Sequence, residues 1–323
     1  MPFLIKKRPL VHKLQRLRQG RRFSLSDVAE SCDILCEEER VCGEKALALP
    51  GQFEHAVSVA SETTKEIEFA RVHGHVRIHQ PTLAYHLRSV EMVGGSLYCG
   101  GNRTLLCDDK SELARSLPPS STPTHIARAG MATSFLGTKY FGHWLRDDVT
   151  RYYLAQNYGT VLSHPTPHWP DKATYASLFS QTWADTHHAH IDALTVLEDF
   201  SQNSLKRKRY EACRALLRTR VSAANPGALI YLSRGSTGVA RPVSGEDALI
   251  EQLSKRGFTI LSMENYDLGT LLSQLLDARL VVTVEGSQQN HALYTLANSG
   301  GLLTLQLPDR FNNHPQDWCE CLG

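Results

Sequence analysis

The segment YFGHWLRDDVTR, residues 140–151, carries the pair of side chains most suited to proton transfer. His143 and Asp147 stand four residues apart, so a helix would place both on one face. A carboxylate beside an imidazole raises the basicity of the ring, which makes the pair a candidate general base. The same pair also arises without chemistry, because acidic residues favour the first turn of a helix. His143 and Asp147 are therefore candidate catalytic residues.

The segment VVTVEGSQQNHALY, residues 281–294, ends an apolar run in Glu285-Gly286-Ser287. A carboxylate at the end of a buried strand is costly unless it meets water, a partner or a ligand. We predict that Glu285 bonds a ribose or sugar hydroxyl, as acidic residues do in nucleotide-binding sheets. The alternative is a capping contact to the helix that follows.

Cations follow a second strand-like run, ALIYLSR, which ends in Ser233 and Arg234, with Arg241 seven residues later. Ligands of open parallel sheets bind outside the carboxyl ends of the strands. A guanidinium grips phosphate oxygens two at a time, and helix amides after Ser287 would attract phosphate. The predicted ligand is a nucleotide diphosphate, and solvated surface arginines are the alternative. The predicted donor-site residues are Ser233, Arg234, Arg241, Glu285, Gly286 and Ser287.

The elements that would position these residues alternate regularly after residue 226. ALIYLSR, FTIL, RLVVTV and GLLTLQL read as strands, and ALIEQLSKRG, LGTLLSQLLDA and QQNHALYTLANSG as helices. Such alternation predicts an α/β fold with a parallel sheet. Earlier, EHAVSVA and SLYCGG suggest short strands, a helix should run from Gly142 to about Asn157, and 205–220 is basic and helical. The break VSAANPG predicts two domains, 1–220 and 226–323.

Composition excludes several classes of protein. A net charge of +2 over 323 residues does not indicate a nucleic-acid-binding chain. No apolar run approaches the ~20 residues of a membrane span, and no secretory signal is evident, so we expect a cytoplasmic protein.

Residues 1–22 hold eight basic and no acidic residues, which indicates either a loose tail or an anchor on an anionic membrane. The eight cysteines lack zinc-site spacing and are expected to be reduced thiols.

Metal binding has weak support in the sequence. THHAH, residues 186–190, offers His187, His188 and His190, but no further ligand has a clear partner. The chain has no Asp-x-Asp triplet, the short metal motif of many sugar-nucleotide enzymes. We therefore predict no metal site and no cofactor, with arginines and helix amides neutralising the diphosphate.

Three segments resemble the conserved blocks of glycosyltransferase family 61. YFGHWLRDDVTR is similar to its Gly-His-Trp-Leu-x-x-Asp segment, and residues 231–261 and 278–308 are similar to its second and closing blocks. In the closing block, Glu285 to Gln288 stand where many members have His-Gly-Ala-Gly, and His291 takes the place of the usual Asn. The residues that match the three motifs are Gly142, His143 and Asp147; Ser233, Arg234 and Arg241; and Gly286.

The resemblance implies an inverting transferase of two facing Rossmann-like domains, the GT-B arrangement. It would move a sugar from a nucleotide-sugar donor to a hydroxyl of a glycan acceptor in surface or capsular polysaccharide synthesis. Either His143 or Asp147 would be the base. A lipid-linked acceptor at the inner membrane face would suit the basic residues 1–22. Two other interpretations remain: an inactive sugar-nucleotide-binding scaffold protein, and a metal-dependent hydrolase built on the THHAH histidines.

Overall fold

The computed structural model describes residues 24–107, 123–167, 169–235 and 241–323. Residues 1–22, for which a membrane anchor was considered, lie outside the described residues. The strands are β1 Ser31–Cys36, β2 Glu39–Cys42, β3 Val76–His79, β4 Thr82–Val93, β5 Ser96–Cys99, β6 Asn102–Leu105, β7 Thr124–Met131, β8 Thr160–Ser163, β9 Ala184–Asp185, β10 His188–Glu198, β11 Leu229–Ser233, β12 Phe258–Ser262, β13 Ala278–Val284 and β14 Leu296–Leu305.

Helices of varied length connect these strands. The α-helices are α1 Leu25–Val28, α2 Lys65–His73, α3 Phe135–Lys139, α4 Phe141–His143, α5 Val149–Ala155, α6 Asp171–Leu178, α7 Ser204–Arg220, α8 Glu246–Lys255, α9 Leu268–Leu275, α10 Asn290–Thr295 and α11 Pro315–Leu322. A π-helical turn, Trp144–Asp148, joins α4 to α5, and 3-10 turns lie at Phe53–His55, Gln156–Tyr158 and Ser287–Gln289.

The chain divides into two compact units that differ from the predicted domains. The first unit contains the residues up to Glu37 and Pro81–Phe200, and the second contains Glu38–Gln80 and Ser201–Gly323. Helix α7, assigned to the N-terminal domain by the sequence, packs in the second unit. Its Arg214 donates from Nη1 to the Leu293 carbonyl at 2.8 Å, because helix α10 ends beside it.

The first unit is built on a mixed eight-stranded sheet. The order is β6-β5-β4-β10-β7-β8-β9, with β1 also paired to β4. Strands β10, β7, β8 and β9 run parallel, whereas β4 is antiparallel to β10, β5 and β1. Apolar side chains on one face form the core: Leu87, Val90, Met92, Leu97, Ala129, Met131, Leu162, Ile191 and Leu194. Long-range pairing of β4 with β10 therefore organises this unit.

The second unit contains the parallel sheet that the sequence predicted. Its order is β12-β11-β13-β14, and every pair is parallel. From β11 the chain passes to β12 on one side of β11, and it then crosses back to form β13 on the opposite side of β11. The connections thus diverge between β11 and β13, which makes the carboxyl ends of these two strands the topological switch point of the sheet. The α/β fold class is confirmed.

Some predicted elements differ from the structure. EHAVSVA is not a strand: its first two residues belong to the 3-10 turn Phe53–His55, and the rest contributes only an isolated bridge from Val59 to Phe311. Helix α10 ends at Thr295 rather than near Gly300, because Leu296 already pairs with Ala278 as β14 begins. Helix α8 has Gly245 at its N-cap, with no side-chain cap hydrogen bond.

Two further observations concern membrane-spanning helices and disulfide bonds. Over the described ranges, no helix combines the length and apolar character that a membrane crossing requires. All eight cysteines fall within these ranges, and none of them forms a disulfide bond.

Candidate functional site

The helix that carries His143 and Asp147 contains an irregular turn. The predicted helix from Gly142 is confirmed, and it runs as α4, the π-helical turn Trp144–Asp148 and α5. Every side chain of the π turn is buried. Insertions of this kind are rare in α-helices and are frequent at functional sites. The turn brings polar groups into the interior that an ordinary amphipathic helix would present to solvent.

His143, Arg146 and Asp147 form a hydrogen-bonded cluster. Nδ1 of His143 lies 3.1 Å from Oδ2 of Asp147. Nη2 of Arg146 lies 2.6 Å both from that oxygen and from His143 Nδ1. The Asp147 side chain is 4% exposed and Arg146 8%, so each buried charge has its counter-ion beside it. His143, at 17%, is the most exposed of the three.

The two contacts of His143 Nδ1 imply different tautomers of a neutral ring. If Nδ1 accepts from Arg146, the ring proton is on Nε2. If Nδ1 donates to Asp147, Nε2 is the basic nitrogen, as a general base requires. The cluster can therefore hold the imidazole in either tautomer. A ligand that draws Arg146 away would favour the tautomer in which Nδ1 donates to Asp147 and Nε2 is the basic nitrogen.

A second buried ion pair, between Asp148 and Arg151, lies on the same helix. Nη1 of Arg151 lies 3.1 Å from Oδ1 of Asp148, and both side chains are 1% exposed. The same Asp148 oxygen accepts from the backbone N–H of Ser134 at 3.0 Å. Burial raises the pKa of Asp148 to about 7, against the opposing effect of Arg151 and the Ser134 bonds. A Cβ on Gly137 would overlap the Asp148 carboxylate, so this pair needs glycine beside it.

The carboxyl ends of β11 and β13 carry the second cluster. Arg234 follows β11 and Glu285 follows β13, and these strands are direct neighbours. Nη1 of Arg241 forms an ion pair with Oε2 of Glu285 and also donates to the Glu285 carbonyl at 2.7 Å. Both side chains are largely buried, with 11% and 8% exposed. Glu285 thus positions Arg241, and its predicted contact with a sugar hydroxyl stays a prediction.

Arg234 is held over Gly286 by a glutamine that was not among the predicted site residues. Its Nη1 donates to Oε1 of Gln288 at 3.0 Å, and Gln288 in turn donates to the Val284 carbonyl at 2.6 Å. Nε of Arg234 is buried and has no hydrogen-bond partner among the described residues. A Cβ on Gly286 would overlap the Arg234 guanidinium. Because Gly286 has no side chain, it leaves the space that the Arg234 guanidinium occupies.

Arg310 completes the cluster, and it too was not among the predicted site residues. Nη2 of Arg310 lies 2.7 Å from Oε1 of Glu62, and its Nε lies 3.9 Å from Oε2 of Glu285. Within the described part of the chain that Nε is buried without a hydrogen-bond partner, as in Arg234. Three guanidiniums thus face two carboxylates, which leaves an excess of positive charge.

The electrostatics of this cluster reflect both burial and charge. Burial raises the pKa of Glu285, while Arg241, Arg310 and Arg234 act in the opposite direction. Burial and the neighbouring Arg241 lower the pKa of Arg234. An anionic ligand would relieve the repulsion among the arginines, because their charges exceed those of the carboxylates present.

The remaining predicted donor residues lie at the same strand ends. Ser233 is the last residue of β11, and Ser287 opens the 3-10 turn before α10. Helix α10 has only six residues, so the arginines rather than helix amides are the main positive groups of the cluster. His143 and Asp147 belong to the first unit and the donor-site residues to the second.

Two signals could have identified the missed residues. Arg146 is three residues after His143, the spacing of neighbours on a helix. Arg310 stands shortly after β14, the strand beside β13, and so at the same edge of the sheet. Gln288 had no such signal, because its role depends on where Arg234 passes.

The THHAH histidines do not come together as metal ligands. His190 does have ligand-type neighbours, but they are His125 and Asp192. In the ranges that the structure describes, no other group of three His, Cys, Asp or Glu side chains has suitable spacing.

Comparison with known protein families gives a match. A family model described as Glycosyltransferase 61 matches residues 141–302, half of the chain. The matched span includes His143, Asp147, Arg234, Arg241 and Glu285. No curated protein matches the chain as a relative.

Proposed function

The chain belongs to glycosyltransferase family 61, and on that premise we propose that it is an inverting enzyme that transfers a sugar from a nucleotide-sugar donor to a glycan hydroxyl. The observation that carries the proposal is the arginine cluster at the switch point of the second sheet. We further propose that the acceptor is a glycan or lipid-linked glycan of surface or capsular polysaccharide synthesis. The GT-B arrangement of the two units is part of the same proposal.

The arginine cluster is suited to a diphosphate. Arg234 and Arg310 each have a buried Nε that no described residue pairs with, and buried donors of this kind cost free energy unless a ligand satisfies them. Phosphate oxygens accept from guanidinium groups in pairs and at short distance. Arg241 is held in place by Glu285, so its charge needs no reorganisation when the ligand arrives. Ser233, Gly286 and Ser287 would line the same strand ends.

In the proposed reaction, the acceptor oxygen attacks the anomeric carbon and the bond from that carbon to the donor phosphate breaks. The bonding electrons pass to the diphosphate, where Arg234, Arg241 and Arg310 stabilise the developing charge. The acceptor proton passes to a base. His143 is the better candidate than Asp147, because Asp147 is more deeply buried and engaged by Arg146. Asp147 would then orient the ring. No metal or other cofactor enters this scheme.

The first experiment is calorimetric titration of the chain with UDP, GDP and CMP, without and with a divalent metal. We expect binding of one nucleotide without metal and an affinity roughly 10- to 150-fold lower in Arg234→Ala. The matched control is Arg256→Ala, which removes an exposed arginine at the end of helix α8 that bonds Gln252 of the same helix. No binding of any nucleotide, or equal losses in both variants, would remove the donor-site proposal.

The base is tested by turnover with the donor that this titration identifies. His143→Ala should abolish transfer while leaving nucleotide affinity unchanged, since the residue acts on the acceptor. Asp147→Asn should reduce turnover less and alter its pH profile. Normal turnover in both variants would show that this helix is structural. Nucleotide binding without turnover by the unmodified chain would instead favour a scaffold protein.

Contact with a membrane face through residues 1–22 is a separate part of the proposal and depends on their charge. Vesicles containing anionic lipid should retain the full chain but not a chain lacking residues 1–22. Equal retention of the two would remove this part and leave the transferase proposal intact.

A further inference from the structure

A row of titratable side chains crosses the sheet of the first unit outside the residues used above. In strand β10, Ala189 and Ile191 are buried on the core face, whereas His190 and Asp192 point to the other face. His190 pairs directly with His125 of β7 and with Glu91 of β4. Directly paired residues of neighbouring strands share a face. Glu91, His190 and His125 therefore lie side by side across three strands, with Asp192 next to the two histidines.

The distances in this row are those of metal ligands. Nε2 of His125 lies 2.9 Å from Oδ1 of Asp192, and Nε2 of His190 lies 3.3 Å from the same oxygen. One ligand atom from each of the three residues lies within 4.8 Å of the others. Ligands about 2.0–2.1 Å from a tetrahedral zinc ion lie roughly 3.3 Å apart. The three side chains could therefore close on one ion with small rotations.

Glu91 supplies the outer support that such sites have. Nδ1 of His190 lies 2.8 Å from Oε1 of Glu91, so the ring can donate there and present Nε2 as the metal-binding nitrogen. Histidines that ligate metal almost always donate their other ring N–H to a carboxylate, carbonyl or water. Glu91 is 4% exposed, and its Oε2 is buried with no hydrogen-bond partner in the ranges that the structure describes. A nearby cation would offset the cost of burying this carboxylate.

We propose that His125, His190 and Asp192 form a site for one zinc-class divalent ion that ties β7 to β10, with Glu91 orienting His190. Two imidazoles and one carboxylate suit zinc among the common ions. His125 and Asp192 are exposed, with 64% and 48% of their side chains accessible, so water fills the fourth position. The site is distinct from the arginine cluster and takes no part in the proposed transfer.

The test is titration of the tag-free full chain with zinc chloride by calorimetry, with the melting temperature as a second readout. We expect one ion per chain and a higher melting temperature at saturating zinc, because an ion that binds only the folded state stabilises it. His125→Ala and Asp192→Asn change exposed side chains and should fold normally, yet each should lower the zinc affinity at least tenfold. Glu91→Gln should weaken binding about 10- to 100-fold.

The matched control is His86→Ala. His86 lies in the same sheet and bonds a carboxylate, Asp33, at 2.9 Å, but among the described residues it belongs to no group of three potential ligands. This variant should bind zinc as the unmodified chain does. The proposal is overturned if zinc shows no saturable binding. It is also overturned if a His125→Ala, His190→Ala double variant binds with unchanged affinity, or if His86→Ala loses as much affinity as His125→Ala.

Discussion

Replacing Gly286 by alanine tests the donor site without changing any charge. A Cβ at this position would overlap Nη1 of Arg234 and crowd Oε1 of Gln288. The guanidinium must therefore move until ordinary contact, at about 3.4 Å, is restored. We expect its hydrogen bond to Gln288 to be lost in that displacement. We expect Gly286→Ala to disable Arg234 while leaving the charge of the cluster as it was.

The expected loss follows from the bond that the displaced arginine would make. A hydrogen bond to a charged group contributes about 1.5–3 kcal/mol, which corresponds to roughly a 10- to 150-fold change in the dissociation constant. Arg234 is the side chain nearest to Gly286, so its phosphate contacts are the ones at risk. Nucleotide affinity should fall by that factor, close to the loss in Arg234→Ala.

The assay is a double-mutant cycle in which calorimetry measures the affinity of each variant for the nucleotide that binds the unmodified chain. If the alanine acts through Arg234, the double variant Arg234→Ala, Gly286→Ala should bind no more weakly than Arg234→Ala alone. Thermal melting of each variant separates a binding effect from unfolding. The control is Gly301→Ala in β14, where a Cβ would make only an ordinary contact with Leu280.

Additive losses in the cycle would refute this reasoning, because they would mean that the two positions act independently. Unchanged affinity in Gly286→Ala would refute it too, since the guanidinium would then have no part in binding. A loss in Gly301→Ala of the same size would indicate a general effect of alanine on the sheet.

Three further predictions concern stability. Burial lowers the pKa of His291 to about 4, whereas a histidine in the unfolded chain has a pKa of about 6.5. The free energy of unfolding should therefore fall as the pH drops from about 6.5 toward 4, by roughly 2 kcal/mol between pH 8 and pH 5. In His291→Asn, the free energy of unfolding measured with denaturant should vary with pH by that much less. An equal variation in the unmodified chain and the variant would contradict the lowered pKa of His291. Glu285→Gln should lower the free energy of unfolding by about 3–5 kcal/mol, because it leaves a buried arginine unpaired. Glu251→Gln, which breaks an exposed pair, should change it by less than about 1 kcal/mol, and similar losses in the two would count against a buried pair. Gly137→Ala should displace the Asp148 carboxylate and lower the melting temperature, whereas a normal melting temperature would show that the site has room.

The second sheet was largely predictable from sequence because its signals are local. Alternating strand and helix patterns after residue 226 correspond to β11, α8, β12, α9, β13 and β14. A buried parallel strand reads as a continuous apolar run, and its end is marked where polar residues begin. That is why the amino-acid sequence alone places Arg234 and Glu285 at strand ends.

The sequence was less informative where distant segments meet. Residues 38–80 pack with the C-terminal part of the chain, partly through the ion pair of Arg71 with Asp317, and no local pattern reports such a partner. EHAVSVA has strand-like composition but pairs only at Val59, because strand formation depends on an available neighbour.

The candidate site clusters show the same division. Residue types and spacing sufficed to select His143, Asp147, Arg234 and Arg241, since helix periodicity and strand ends are local properties. The tertiary structure alone brought Arg310 beside Glu285 and His125 beside His190 and Asp192. These contacts join residues far apart in the chain, and their energies depend on burial and on distances that only the packed fold sets.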